Sequence, residues 1–169
     1  MPGPHRLDRD HLEDHLPALY RAARAWTGSR DEAEDLVQET LVNVLARPRL
    51  VLGDDLGYLL RAVRNTLAGR RRTAARRPQT VELLEDLDGA RAGTADPAEL
   101  AGNAEVYAAI AELPDDFRDA LVAVDVAGLS YKEAAQVLGL PEGTLTSRAF
   151  RARDRLALRL GEHGARPGS

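Results

Sequence analysis

The chain holds 169 residues, of which 44% are hydrophobic, 30% charged and only 4% aromatic, with a formal net charge of -4. That length suits one ordinary domain or two very small ones, and a mixture rich in Ala, Leu, Arg and Asp favours an all-α protein over a sheet-built core. The absence of cysteine excludes disulfides and thiolate metal sites. No apolar run approaches the roughly 20 residues of a membrane span, and the polar start His5-Arg6-Leu7-Asp8 lacks a signal peptide's apolar stretch, so a cytoplasmic location is expected.

The first predicted helix carries Leu12, Leu16, Leu19, Tyr20, Ala23 and Trp26 at three-and-four spacing, with Pro17 near its first turn. Gly28 suits its end. Ser29 followed by Glu32 is a capping-box pattern that starts a second helix running to about Ala46. Ala33, Leu36, Val37, Thr40, Leu41, Val44 and Leu45 form its inward stripe, while Asp31, Glu34, Asp35, Gln38 and Glu39 face out. Arg47-Pro48 stops it, because proline disfavours a helical conformation in the residue before it. A third helix after Gly53-Asp54-Asp55 turns Leu56, Leu59, Leu60, Val63 and Leu67 inward and presents Arg61, Arg64, Asn65, Arg70, Arg71 and Arg72 on its other side.

The near-neutral average conceals a sharp local imbalance. Residues 61–77 contain seven arginines and no acid, whereas residues 78–117 contain ten acids against one base. Such asymmetry points to a polyanion-binding face beside an acidic tether. From Gln79 to Asn103 the chain carries Gly89, Gly93, Pro97 and Gly102 with little apolar periodicity, which predicts a linker with a short helical turn near Val81 to Leu87.

Beyond the linker, Ile110, Leu113, Phe117, Leu121 and Val124 repeat at helical spacing, broken by Pro114. Ser130 with Glu133 is a second capping box. Ala135, Gly139 and Leu145 then have the spacing of a helix-turn-helix, in which a small residue permits close crossing, glycine permits the turn and leucine packs back. Pro141 fits the turn or the start of the next helix. Thr144, Ser147, Arg148, Arg151 and Arg155 share an outward side of that second helix, where hydroxyls and guanidinia can meet base edges and phosphates in a major groove.

Both halves of the chain carry a family resemblance. Asp31-Glu-Ala-Glu-Asp-Leu-Val-Gln-Glu-Thr40-Leu41, with Tyr58-Leu-Leu-Arg-Ala-Val-Arg-Asn65, resembles region 2 of bacterial sigma factors of the extracytoplasmic-function group. Leu113-Pro-Asp-Asp-Phe-Arg118, Gly128-Leu-Ser-Tyr-Lys-Glu133 and Gly143-Thr-Leu-Thr-Ser-Arg-Ala-Phe-Arg-Ala-Arg153 resemble their region 4. The resemblance implies two small helical domains, a region 2 bundle over 1–77 and a region 4 helix-turn-helix over 107–169, joined by a flexible acidic linker over 78–106.

It further implies a subunit that binds core RNA polymerase, through its β′ and β subunits, and directs transcription from promoter DNA. In that frame Asp35, Gln38 and Glu39 match the β′-docking stripe. Arg61, Arg64 and Asn65 match the side that opens and holds the minus-10 element, where strand opening needs cationic tracks and a pocket for an extruded base. Thr144, Ser147, Arg148, Phe150 and Arg151 make the minus-35 reading set, with Phe150 open to reading as either core aromatic or thymine-methyl contact. An anti-sigma partner is implied as well. The chain departs from the common pattern at Leu41 and Tyr58, where relatives often have an aromatic and a tryptophan, and at Thr146, where a basic residue is frequent.

A stand-alone helix-turn-helix regulator is the alternative reading. No catalysis, cofactor or metal is expected. His11 and His15 lie one helical turn apart, but the zinc-protease pattern needs Glu directly after the first His, and no third ligand is evident.

Overall fold

Residues 3–76 and 103–164 are described by the computed structural model. The first three helices are α1 (Leu12–Thr27), α2 (Arg30–Ala46) and α3 (Asp55–Arg76). After them come α4 (Ala104–Ala111), α5 (Asp115–Leu121) with a π-helical continuation over Val122–Val126, α6 (Tyr131–Leu138) and α7 (Glu142–Gly164). The helical turn expected near Val81 to Leu87 lies outside the described residues.

Local chemistry accounts for most of these boundaries. Gly28 ends α1 in the left-handed region at φ 73°, and its N–H donates to the Arg24 carbonyl at 2.8 Å. Ser29 Oγ accepts the Glu32 N–H at 3.4 Å and starts α2, but the reciprocal bond of a full capping box forms only at Ser130 and Glu133. Pro17 differs from expectation. Because α1 already begins at Leu12, the proline lies in its second turn, on an exposed face where one missing N–H is tolerated.

Two features were not expected. His5–Arg6 (β1) pairs antiparallel with Leu50–Val51 (β2), with His5 opposite Val51 and Arg6 opposite Leu50, and so fastens the start of the chain to the segment before α3. The π-helical segment widens the turn after α5; Val122 and Ala123 become buried, while Val124 is only half-buried.

One contiguous buried cluster runs through both halves of the chain. Leu19, Trp26, Leu36, Val37, Leu59, Leu60 and Val63 from the first three helices join Ile110, Leu113, Leu121, Val122, Leu145, Ala149 and Ala152 from the last four. Each fully buried leucine is worth about 1.5–3 kcal/mol relative to exposure. Small side chains at Ala22, Ala23 and Ala25 bring the helices close. Thr40 is buried without penalty because its hydroxyl donates to the Leu36 carbonyl at 2.7 Å. No helix among the described residues is long and apolar enough to cross a membrane.

Candidate nucleic-acid interface and partner surfaces

The helix-turn-helix forms as its residues dictate. Ser130 Oγ accepts the Glu133 N–H at 3.1 Å while Glu133 Oε2 accepts the Ser130 N–H at 2.9 Å, which fixes the start of α6. At the other end Gly139 adopts φ 66°, Leu140 N–H reaches the Ala135 carbonyl at 3.0 Å, and Gly139 N–H the Gln136 carbonyl at 3.4 Å. That pair of bonds is a Schellman stop. Pro141 then accepts the Leu145 N–H at 3.1 Å and opens α7.

Helix α7 is two-sided. Leu145, Ala149 and Ala152 are completely buried, Ser147 and Arg151 are exposed, and Thr144 and Arg148 are half-buried. Phe150 is 64% exposed, which removes the core reading of this aromatic and leaves it on the outward side. Arg148 is held loosely, its Nη1 3.6 Å from Asp116. Arg155 lies over the Phe117 ring at 4.7 Å. Arg153, which sequence reasoning did not single out, forks onto Asp125 with two bonds of 2.7 Å, and its guanidinium is held charged still more firmly than an ordinary arginine's.

On α3 the expected DNA-facing residues separate. Asn65 is exposed, and so are Arg71, Arg72 and Arg76 toward the end of the helix. Arg61, also exposed, and the half-buried Arg64 reach across to the second half of the chain. Arg64 donates to Asp119 Oδ2 from Nε at 3.1 Å and Nη2 at 2.9 Å, and Arg61 donates to the carbonyls of Val137, at 3.2 Å, and Gln136. Asp119 also accepts the Trp26 indole N–H on Oδ1 at 2.9 Å. The sequence placed Trp26 on the apolar face of the first helix but gave no sign of Asp119 or of their bond, because a contact spanning 93 residues leaves no local signal.

The acidic stripe of α2 is intact. Asp35, Gln38 and Glu39 are exposed while Leu36, Val37 and Thr40 are buried behind them. Glu39 pairs across to Arg70 of α3. Leu50 and Leu52, 64% and 77% exposed, add an apolar border near the start of α3. His11 bonds to Asp8 at 2.5 Å, which raises the imidazole pKa and lowers that of the carboxyl. Among the described residues no group of three or more His, Cys, Asp or Glu is gathered to hold a metal.

Comparison with known proteins matches both parts of the chain to one kind of protein. Residues 11–77 match the family model for Sigma-70 region 2, and residues 103–156 that for Sigma-70, region 4. The chain is 36% identical over 163 residues to the ECF RNA polymerase sigma factor EcfG of Rhodopseudomonas palustris, covering 93% of this chain and 87% of that one. Among solved structures, the sigma factor RpoE in complex with the anti-sigma factor NepR from Bartonella quintana is similar at 28% identity and a TM-score of 0.67, covering 90% and 96% of the two chains. CnrH in complex with the cytosolic domain of CnrY is similar at 26% identity and a TM-score of 0.61, covering 90% and 86%.

Proposed function

The chain belongs to the sigma-70 family, in its extracytoplasmic-function group, and from that premise we propose how its surfaces divide the work of starting transcription. Residues 1–77 act as the region 2 domain, residues 107–169 as the region 4 domain, and residues 78–106 as the tether between them. The family is one of transcription initiation factors, and this chain is assigned no catalysis of its own. It works in the cytoplasm, where polymerase and promoter meet.

Asp35, Gln38 and Glu39 present an acidic and amide stripe to a basic helix pair of the polymerase β′ subunit. Arg61, Arg64 and Asn65 handle the minus-10 element, the guanidinia tracking phosphates and the amide meeting an extruded base. Helix α7 enters the major groove of the minus-35 element, with region 4 resting on the β subunit. Arg148 and Arg151 have the fork geometry that reads guanine, Thr144 and Ser147 offer adaptable hydroxyls, and Phe150 meets a thymine methyl. An anti-sigma protein controls the chain, a reading supported by the similar RpoE structure, which is a complex with the anti-sigma factor NepR.

The observation that carries this reading is the two-sidedness of α7, with Leu145, Ala149 and Ala152 buried and Ser147, Phe150 and Arg151 turned out. Run-off transcription on fragments of the source genome tests it. A promoter-specific transcript is expected only when core polymerase and this protein are both present. If no condition yields one, with inhibitors removed, the reading fails. Tight binding by the free protein to palindromic half-sites would instead fit a stand-alone regulator.

A further inference from the structure

Residues 5–9 span the loop between α2 and α3 and are fastened at both of its ends. His5 Nε2 lies 2.7 Å from Asp55 Oδ1 in the first turn of α3, and Arg9 Nη2 donates to the Leu45 carbonyl in the last turn of α2 at 3.2 Å. Between these anchors β1 pairs with β2, and Leu7 packs against the core. The alternation is that of a strand, with His5 and Leu7 turned inward and Arg6 and Asp8 exposed.

That register decides what the loop shows to solvent. His5 stands opposite Val51, which is completely buried, and Arg6 stands opposite the exposed Leu50, so Arg6 and Leu50 share the outer face of the ribbon. Leu52 is turned out as well. A slip of one residue would bury Leu50 and expose Val51. Residues 47–53 add the exposed Arg47 and Arg49 and contain no acid. Of the acids flanking the ribbon in sequence, Asp8 and Asp55 are paired with His11 and His5, and Asp54 stays exposed at its far end.

We propose that the outer face of this ribbon is a contact surface for separated promoter DNA, on which Arg6 takes a phosphate and Leu50 and Leu52 lie against unstacked bases. Cations beside apolar side chains suit a single strand, because each base exposes an apolar face once it leaves the stack, and apolar side chains also act as wedges between base steps. The ribbon leads directly into α3, which carries Asn65, and the inference rests on the assignment of that helix to the minus-10 element. On this reading β1 is a working part of region 2, and His5 and Arg9 are positioning residues that hold the ribbon in register.

The full chain bound to core polymerase tests this on a promoter found by run-off transcription. Permanganate, which oxidises unpaired thymines, reads strand opening, and a template already unpaired over the minus-10 element removes the need for it. Leu50→Ser/Leu52→Ser is expected to lower permanganate reactivity and transcript severalfold on the duplex and to recover most of its output on the unpaired template. Arg6→Ala should weaken binding of the complex to a minus-10 single strand and flatten its salt dependence by about 0.7 in log–log slope, one lost phosphate contact. His5→Ala/Arg9→Ala should repeat the leucine result, with its binding to core polymerase unchanged and a urea melt showing that it folds.

Wild-type strand opening by the leucine variant overturns the inference, and so does an unchanged salt slope in Arg6→Ala. Arg6, Leu50 and Leu52 are all exposed, so both tests stand even if the His5 and Arg9 replacements unfold the protein. Output lost equally on duplex and unpaired templates, together with weaker binding to core polymerase, would give the face to a polymerase subunit and overturn the inference as well. The wild type separates the two readings: if it yields no promoter-specific transcript, the sigma-factor reading has failed and takes this inference with it, whereas a wild type that transcribes beside variants that open normally removes the ribbon alone.

Discussion

Arg153 grips Asp125 with both prongs of its guanidinium, Nε on Oδ2 and Nη2 on Oδ1, each at 2.7 Å. Asp125 belongs to the π-helical segment and Arg153 to α7, so this parallel pair sets the angle between the reading helix and the turn that precedes the helix-turn-helix. Both side chains remain about two-fifths exposed, which limits the energy through screening. Replacing either with alanine is expected to cost about 0.5–1 kcal/mol, and the double replacement less than the two single effects together. Urea melts of the four proteins measure that coupling. Additive losses would mean the pair does not position the helix.

Gly28 and Gly139 make a matched test of backbone and packing. Both end a helix at positive φ, 73° and 66°, so alanine at either is strained by about 1 kcal/mol. Nothing lies within 4 Å of a Cβ at Gly139, whereas one at Gly28 would sit 2.9 Å from Ala111 Cβ. Gly28→Ala is therefore expected to destabilise more than Gly139→Ala, by about 1–3 kcal/mol of overpacking. Equal losses in thermal melts would show that α1 and α4 separate at little cost.

Those two glycines also show what the sequence could reveal. Gly28, Gly139, the Ser130–Glu133 box and the Ala135, Gly139, Leu145 spacing act over a few residues, and each formed where its chemistry required. The outward stripe Asp35, Gln38 and Glu39 was equally legible, because helical period alone separates it from Leu36 and Val37. Arg61 and Arg64 were identified as cations on one side of α3, but their partners lie 55 to 76 residues away, beyond anything periodicity can report. Arg118 was hidden for a related reason. Its buried guanidinium donates to the Ala111 carbonyl, which the break at Pro114 brings within reach, and pairs with Asp115 one turn back on its own helix.

Adjacent residues on α2 separate docking from folding. Asp35 is exposed and Leu36 completely buried. Asp35→Arg is expected to change stability by no more than about 0.5 kcal/mol while weakening binding to core polymerase at least about tenfold, since it turns attraction to a basic surface into repulsion. Leu36→Ala should cost about 2–5 kcal/mol of stability. Polymerase binding by Asp35→Arg at wild-type strength would move the docking surface elsewhere.

His5 predicts a pH dependence of known sign. Its Nε2 lies 2.7 Å from Asp55 Oδ1, and this hydrogen bond raises the imidazole pKa above its ordinary 6.5. A group whose pKa is raised by folding contributes its full stabilisation below the unfolded value and loses it as pH rises through the folded one. The stability advantage of wild type over His5→Ala should therefore be largest below about pH 6.5 and fade as pH rises through the raised folded-state pKa. Comparing urea midpoints of the two proteins across that range cancels the other histidines. An advantage that grew with pH would contradict the pairing.

The minus-35 assignment separates base contacts from phosphate contacts. Arg148→Ala and Arg151→Ala should each cost about 1–3 kcal/mol for a lost base contact and relax preference at one promoter position. Thr146 is exposed one residue before Ser147 on the same helix, and Thr146→Lys adds a cation without touching the buried side. That change should strengthen binding to all minus-35 sequences alike and steepen the salt dependence by about one unit. Transcription from a panel of minus-35 variants at two salt concentrations distinguishes these outcomes. If Arg148→Ala and Arg151→Ala lowered output equally on every template, the two arginines would be phosphate clamps, and reading would fall to Ser147, Thr144 and Phe150.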